Sequence, residues 1–184
     1  METNIYKSET KNEGSKSQTS LLADIVYLLI KLAIIIGLFV LLFIFIFGIY
    51  KVSDNSMSPN IKDGDLVTYY RLDKDFKAGD PIVIRVNQKY QVRRVVAVAG
   101  DQVNMTKDGL EVNGSPQKGL EIEGVTGETL PFKGKVLFPL TVPKNQVFIL
   151  GDNREKSEDS RSYGPVKVTD ISGKLMFDLR RRNL

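Results

Sequence analysis

Three stretches of the chain carry residue types that could do covalent chemistry. The first is Ser53-Asp54-Asn55-Ser56-Met57-Ser58-Pro59-Asn60, which begins three residues after an apolar run ends at Tyr50. Pro59 removes a backbone donor and restrains Ser58 to an extended or turn conformation. Ser56 therefore stands just before a rigid corner, where a hydroxyl can be exposed and held. On spacing alone the same stretch also reads as a polar linker leaving an apolar segment. The second stretch is Arg93-Arg94-Val95-Val96-Ala97-Val98-Ala99-Gly100-Asp101. Strand alternation puts Arg93 with Val95 on one face and Arg94 with Val96 on the other; taken by itself it is an amphipathic strand with a basic start. The third is Gly151-Asp152-Asn153-Arg154-Glu155-Lys156-Ser157-Glu158-Asp159-Ser160-Arg161. It packs Asp, Asn, Ser and Arg against the end of an apolar strand, where a scaffold-held loop can carry function.

Composition narrows the chemistry. The chain has no Cys and no His. Thiol chemistry, disulfides and a Ser-His-Asp triad are excluded, and a zinc site is disfavoured. A serine hydrolase built from these residues needs another base, for which lysine is the usual choice. The net charge of +4 is mild, and no basic stripe interleaved with aromatics points to nucleic acid. Neither a metal nor a cofactor is implied.

The elements that must position these stretches follow from the rest of the 184 residues. Residues 1–24 are mostly polar and read as a disordered tail. Residues 25–50 read as an uncleaved transmembrane anchor. The uncharged part, Leu32 to Tyr50, spans 19 residues, about 29 Å as a helix against a hydrocarbon core of about 30 Å. Lys31 can snorkel, and lysines on both sides leave orientation undecided by charge. Residues 51–184 change to a β texture. Strands are expected at Leu66–Tyr70, Pro81–Val86, Tyr90–Ala99, Leu110–Val112, Val147–Leu150 and Ile171–Leu179, with turn signals at Asp63-Gly64, Gly79-Asp80, Asp108-Gly109 and Asn113-Gly114. Residues 115–146 read as a loop-rich insertion with one strand near Lys135–Phe138, and Arg180-Arg181-Arg182 forms a basic end. The expected fold is mainly β: one N-terminal membrane helix followed by an antiparallel β domain, with no internal repeat.

Taken together, the three stretches resemble the bacterial type I signal peptidases of Gram-positive type, membrane-bound serine proteases that remove signal peptides. The resemblance covers nearly all of residues 25–184. Its elements stand in the family's order: anchor, Ser56-Met57-Ser58-Pro59, Gly79-Asp80, the basic pair with Gly100-Asp101, and the Gly151-Asp152-Asn153 loop ending Ser157-x-Asp159-Ser160-Arg161. It implies Ser56 as nucleophile, its backbone N–H contributing to the oxyanion hole. It implies Ser157 as the hydroxyl orienting the base, Asp159 and Arg161 as an ion pair behind the site, with Asp152 in the same loop, and Arg94 as the arginine beside the base. Val52 and Val92 fall where the family lines a pocket for a small residue. The implied partners are signal peptides of secreted preproteins and membrane lipid. The implied location is the cell membrane, single-pass, with the C-terminal domain outside the cytoplasm.

Two positions depart from the family. Its general base is a lysine where this chain has Arg93. An arginine starts far above the physiological range and is effectively never deprotonated in proteins, and neutralising it at pH 7 costs roughly 9 kcal/mol at about 1.36 kcal/mol per unit. Lys89 lies on the same strand face but about 13 Å away along the strand. Asp54 stands where the family usually has Ser or Gly; a carboxylate there either repels the oxyanion or pairs with Arg93. A membrane-tethered β domain with purely structural work is a third hypothesis, against which the density of matched site residues argues; two further readings stay open. One is an active peptidase with an unusual base. The other is a catalytically impaired homologue serving as an accessory or chaperone in pilus or surface-protein assembly, with pilin or sortase-linked proteins as partners.

Overall fold

The structure is a computed structural model that describes residues 13–107, 109–117, 125–127, 129–130 and 136–179. Helix α1 spans Glu13–Ile46. No proline interrupts it, and Leu21–Ile46, 26 residues, is long and apolar enough to cross a membrane. At 1.5 Å per residue that segment reaches about 39 Å, which exceeds a hydrocarbon core of about 30 Å and leaves room for tilt. Its bounds differ from the expected ones at both ends. Residues 13–24, read as part of a disordered tail, are helical, because a turn adjoining a formed helix propagates without a new nucleus; residues 1–12 lie outside the described residues. At the other end the helix stops at Ile46, and Phe47–Lys51 form strand β1. Phe, Ile and Tyr fit a pleated surface as well as a helix, and pairing with a neighbouring strand decides between them.

The β domain is described by itself. Its strands are β1, β2 (Leu66–Tyr70), β3 (Pro81–Val86), β4 (Lys89–Ala97), β5 (Gln102–Thr106), β6 (Gly109–Val112), β7 (Ser115–Pro116), β8 (Leu140–Thr141), β9 (Gln146–Leu150), β10 (Val166–Lys167) and β11 (Ile171–Leu179). They form a seven-stranded sheet ordered β1-β2-β11-β3-β4-β9-β10 and a four-stranded sheet ordered β7-β6-β5-β8. Every pairing in both sheets is antiparallel. Pro81 opens β3, the place where a strand tolerates a missing donor. The β3–β4 hairpin closes on Asn87 and Gln88, whose φ values of 48° and 66° match the right-handed twist of the flanking strands. The expected third strand ran to Ala99. β4 ends at Ala97 because Asp101 captures the Val98 N–H with its carboxylate at 2.8 Å and closes a turn. Of the strand expected near Lys135–Phe138, Lys135 lies outside the described residues and Val136–Phe138 are not strand. The strand there is β8, beginning after Pro139, which has no N–H to give a ladder.

Among the described residues, three apolar clusters fill the domain. β3 contributes to two of them: Ile82 and Ile84 point into one, Val83 into another, and all three are fully buried. β3 therefore has core on both faces, which is why it reads as a continuous apolar run. The cluster under the candidate site holds Val52, Met57, Ile61, Val67, Tyr69, Val83 and Val92.

Gly48 on β1 lies opposite Tyr69 on β2, and the buried Tyr69 ring covers the place a Cβ would take. Gly48→Ala should therefore lower stability by about 1–3 kcal/mol, the usual cost of overpacking. Ile49→Ala, at an exposed position, should change it by no more than ~0.5 kcal/mol. Denaturant unfolding of the purified chain compares the two; equal midpoints would mean that Tyr69 moves aside freely.

Candidate active site

The turn after β1 is held by its own backbone hydrogen bonds. The Val52 N–H donates to the Asp65 carbonyl at 2.9 Å, the Gly64 N–H to Val52 at 2.9 Å and the Ile61 N–H to Met57 at 2.9 Å. Met57 and Ile61 are buried in the cluster beneath. The neighbour of Ser56 is thus an apolar anchor, and the Ser56 backbone cannot shift without withdrawing Met57 from the core. The Ser56 carbonyl accepts the Asn153 N–H at 2.8 Å, which ties the first stretch to the third.

The second stretch arrives on β4. Arg93 is 2 % exposed. Its Nη1 donates to Ser56 Oγ at 2.5 Å and to the Val92 carbonyl at 2.6 Å, and its Nε donates to the Glu158 carbonyl at 3.0 Å. Ser56 Oγ in turn donates to Asp54 Oδ1 at 2.5 Å, and the Ser56 N–H donates to the same oxygen at 3.0 Å. The other Asp54 oxygen is 3.7 Å from Arg93 Nη1. The serine hydroxyl therefore sits between an anion that accepts its proton and a cation that donates to its oxygen.

The third stretch is a scaffold of paired charges. Arg94 meets the buried Asp152 through two bonds, Nε to Oδ1 at 2.8 Å and Nη2 to Oδ2 at 2.6 Å, and donates from Nη1 to the Gly79 carbonyl at 2.8 Å. Asn60 Nδ2 adds a donor to Asp152 at 2.9 Å. The buried Asp159 accepts from Arg161 Nε at 2.8 Å and Nη2 at 2.9 Å, from Ser157 Oγ at 2.7 Å and from the Gly151 N–H at 3.1 Å. It also caps the short helix α2, Ser160–Tyr163. Gly151 has no alternative here, since a Cβ would collide with the Ser157 side chain and the Ser56 carbonyl. Burial and the neighbouring Arg161 pull Arg154 down to about 10. Burial pushes the Tyr163 phenol up, and the Arg93 cation opposes it.

Of the residues singled out in the sequence, Ser56, Arg93 and Asp54 meet directly. Arg94 meets Asp152, and Ser157 and Arg161 meet Asp159. Ser157 makes no hydrogen bond to Arg93 among the described residues; its hydroxyl goes to Asp159. Val52 and Val92 lie in one cluster, 2 % and 1 % exposed. Sequence reasoning missed Asn60, the Glu158 carbonyl and the Tyr50 hydroxyl, which donates to the Tyr90 carbonyl at 2.7 Å. Only Asn60 had a legible signal: a two-donor side chain immediately after Pro59. Among the described residues no cluster of His, Cys, Asp or Glu could hold a metal ion.

Residues 25–179 match the family described as "Signal peptidase, peptidase S26". A signal peptidase I of Bacillus caldolyticus is 36 % identical, covering 73 % of this chain and 80 % of the relative. A signal peptidase IB of Staphylococcus aureus is 34 % identical, covering 76 % and 82 %. A crystal structure of a signal peptidase I from Enterococcus faecalis matches at 27 % identity and a TM-score of 0.42, covering 55 % of this chain and 97 % of that one. On the family match and the identity of these relatives, this chain belongs to the signal peptidase family S26, a family of serine endopeptidases.

Proposed function

We propose that this chain removes N-terminal signal peptides from secreted preproteins as a membrane-bound serine endopeptidase, with Ser56 as the nucleophile. The observation that carries the reading is the convergence on Ser56. Its hydroxyl is bonded to Asp54 and Arg93, and its backbone carbonyl to the Asn153 N–H, so residues from all three stretches meet at one residue. In the reaction Oγ bonds to the scissile carbonyl carbon, the C–N bond breaks, and the amine leaves with a proton. Water then hydrolyses the ester and restores the hydroxyl. Ser157, Asp159, Arg161, Arg94 and Asp152 serve as the support that holds the Ser56 and Arg93 backbones. Val52 and Val92, which lie together in the cluster beneath Ser56, are assigned by the family resemblance to the pocket for small substrate side chains. The α1 segment is the single span, with residues 1–24 inside and 51–184 outside.

A second reading rests on Arg93. A guanidinium at the general-base position keeps its proton, so a homologue that binds signal peptides or surface proteins without cutting them would carry the same residues. Binding of a signal peptide that does not depend on Ser56, together with no cleavage, would favour that reading.

Two outcomes are expected. Protease added to intact protoplasts should digest the 51–184 domain and spare the tail; the reverse pattern would overturn the placement. The full chain in detergent should cleave a preprotein ending its signal peptide in Ala-x-Ala, and Ser56→Ala should abolish that cleavage. Bulky residues in place of the two alanines should slow it at least tenfold. Cleavage that survives Ser56→Ala would assign the reaction to another group.

A further inference from the structure

Reading Ser56 as the nucleophile leaves a proton without a destination, since the residue at the family's general-base position is an arginine. We infer that Asp54 is the general base of this chain and that Arg93 is the donor to the developing oxyanion. The two roles of the centre have exchanged places between positions 93 and 54.

The alternative is that Asp54 exists only to neutralise Arg93, and the ion pairs of the same domain provide the comparison. Arg94 grips Asp152 through two bonds of 2.8 and 2.6 Å, and Arg161 grips Asp159 through two of 2.8 and 2.9 Å. Both of those carboxylates are 0 % exposed. Asp54 is built differently. Its closest approach to Arg93 is 3.7 Å, beyond hydrogen-bond reach, and its side chain is 38 % exposed. Its short bond goes to the Ser56 hydroxyl. The short bonds of Arg93 go to Ser56 Oγ and to the carbonyls of Val92 and Glu158. Serine, not arginine, is the residue Asp54 is arranged to hold. Lys89 opens β4 four residues before Arg93, at the wrong end of the strand to reach the hydroxyl.

The exchange is consistent for the oxyanion too. Asp54 Oδ1 occupies the Ser56 N–H, the donor that would otherwise face a carbonyl oxygen. A guanidinium on the serine oxygen supplies a replacement. In the acylation step the Ser56 proton passes to Asp54 as Oγ bonds to the carbonyl carbon. The carbonyl electron pair moves to its oxygen, and Arg93 Nη1, released from Oγ, donates to that oxygen. The pair returns, the C–N bond breaks, and Asp54 gives its proton to the leaving amine. In deacylation Asp54 accepts a proton from water, the hydroxide adds to the ester, and Ser56 regains its hydrogen. The net change is peptide plus water to acid plus amine. The partial exposure of Asp54 lets it meet both the amine and the water.

The test reads Ser56 directly, with a fluorophosphonate probe that forms a phosphonate ester on an activated serine and loses fluoride. The full chain in detergent should be labelled at Ser56, and Ser56→Ala should not. Asp54→Asn keeps the shape and removes the base; labelling should slow about 100-fold or more, the usual range for a general base. Asp54→Ser should behave alike, which guards against a fault of one variant, and far-ultraviolet circular dichroism should match the parent for the variant scored. Labelling of Asp54→Asn and Asp54→Ser at or above the parental rate would overturn the inference, as would a parent that is not labelled at all. The outcome separates from the signal-peptide reading. Asp54-dependent labelling without preprotein cleavage keeps the base and loses the substrate. Preprotein cleavage unchanged in Asp54→Asn keeps the substrate and loses the base.

Discussion

Two carboxylates with no exposure to water, Asp152 and Asp159, set the terms for the rest of the domain. An ion taken out of water is tolerated only when paired and hydrogen-bonded, and each of these gathers its partners from separate parts of the chain. Asp152 draws in Arg94 from β4 and Asn60 from the turn after β1, and Arg94 draws in the Gly79 carbonyl that leads to β3. Asp159 draws in Arg161, Ser157 and the Gly151 N–H at the end of β9. Removing one partner of such a pair leaves an uncompensated buried charge, at about 3–5 kcal/mol. The loop from Gly151 to Arg161 is for that reason as fixed as a strand, although it has almost no regular structure.

Ser56 benefits from that rigidity without belonging to either pair. Asn153 lies one residue beyond Asp152 and holds the Ser56 carbonyl, while Met57 on the other side is sunk in the core. The Glu158 carbonyl lies one residue before Asp159 and holds Arg93 Nε. Each charge pair thus delivers a backbone group to Ser56 or Arg93, and the serine and the arginine are positioned by groups outside their own contact. Catalysis by fixed dipoles needs this kind of support, because a donor that must reorganise during the reaction loses its advantage.

How much of this was legible in the sequence depended on the range of the interaction. The strands Leu66–Tyr70, Pro81–Val86 and Ile171–Leu179 could be read with their bounds, since turn chemistry and β-branched runs are local. Phe47–Tyr50 could not, because an apolar run at the end of a membrane helix carries no mark of the partner strand it will meet; pairing with β2 along Leu66–Tyr70 decides it. In the site, motif order brought out Ser56, Arg93, Arg94 and the Gly151–Arg161 loop. What it could not supply was partner choice. Ser157 goes to Asp159, and the Arg93 Nε meets a backbone carbonyl; a backbone acceptor has no residue type to recognise. Asp54 stood out as a departure, yet its short contact with Ser56 emerges only from the fold of the 52–65 turn.

The coupling of positions 54 and 93 follows from charge. The family resemblance implies a lysine base at position 93 and an uncharged Ser or Gly at position 54, and a lysine acts as base only when neutral. An arginine in the same buried place, 2 % exposed here, stays charged. Without a nearby anion it would be a lone cation beside the core. Asp54 cancels that charge across 3.7 Å while leaving both groups their short bonds to Ser56. The centre here pairs an anionic acceptor with a cationic donor, so that its two charges offset one another around Ser56. Changing residue 93 alone would leave a charge unmatched, and changing residue 54 alone would place a carboxylate against a forming oxyanion with nothing to offset it. Asp54 and Arg93 together are the combination that keeps the buried serine electrically balanced.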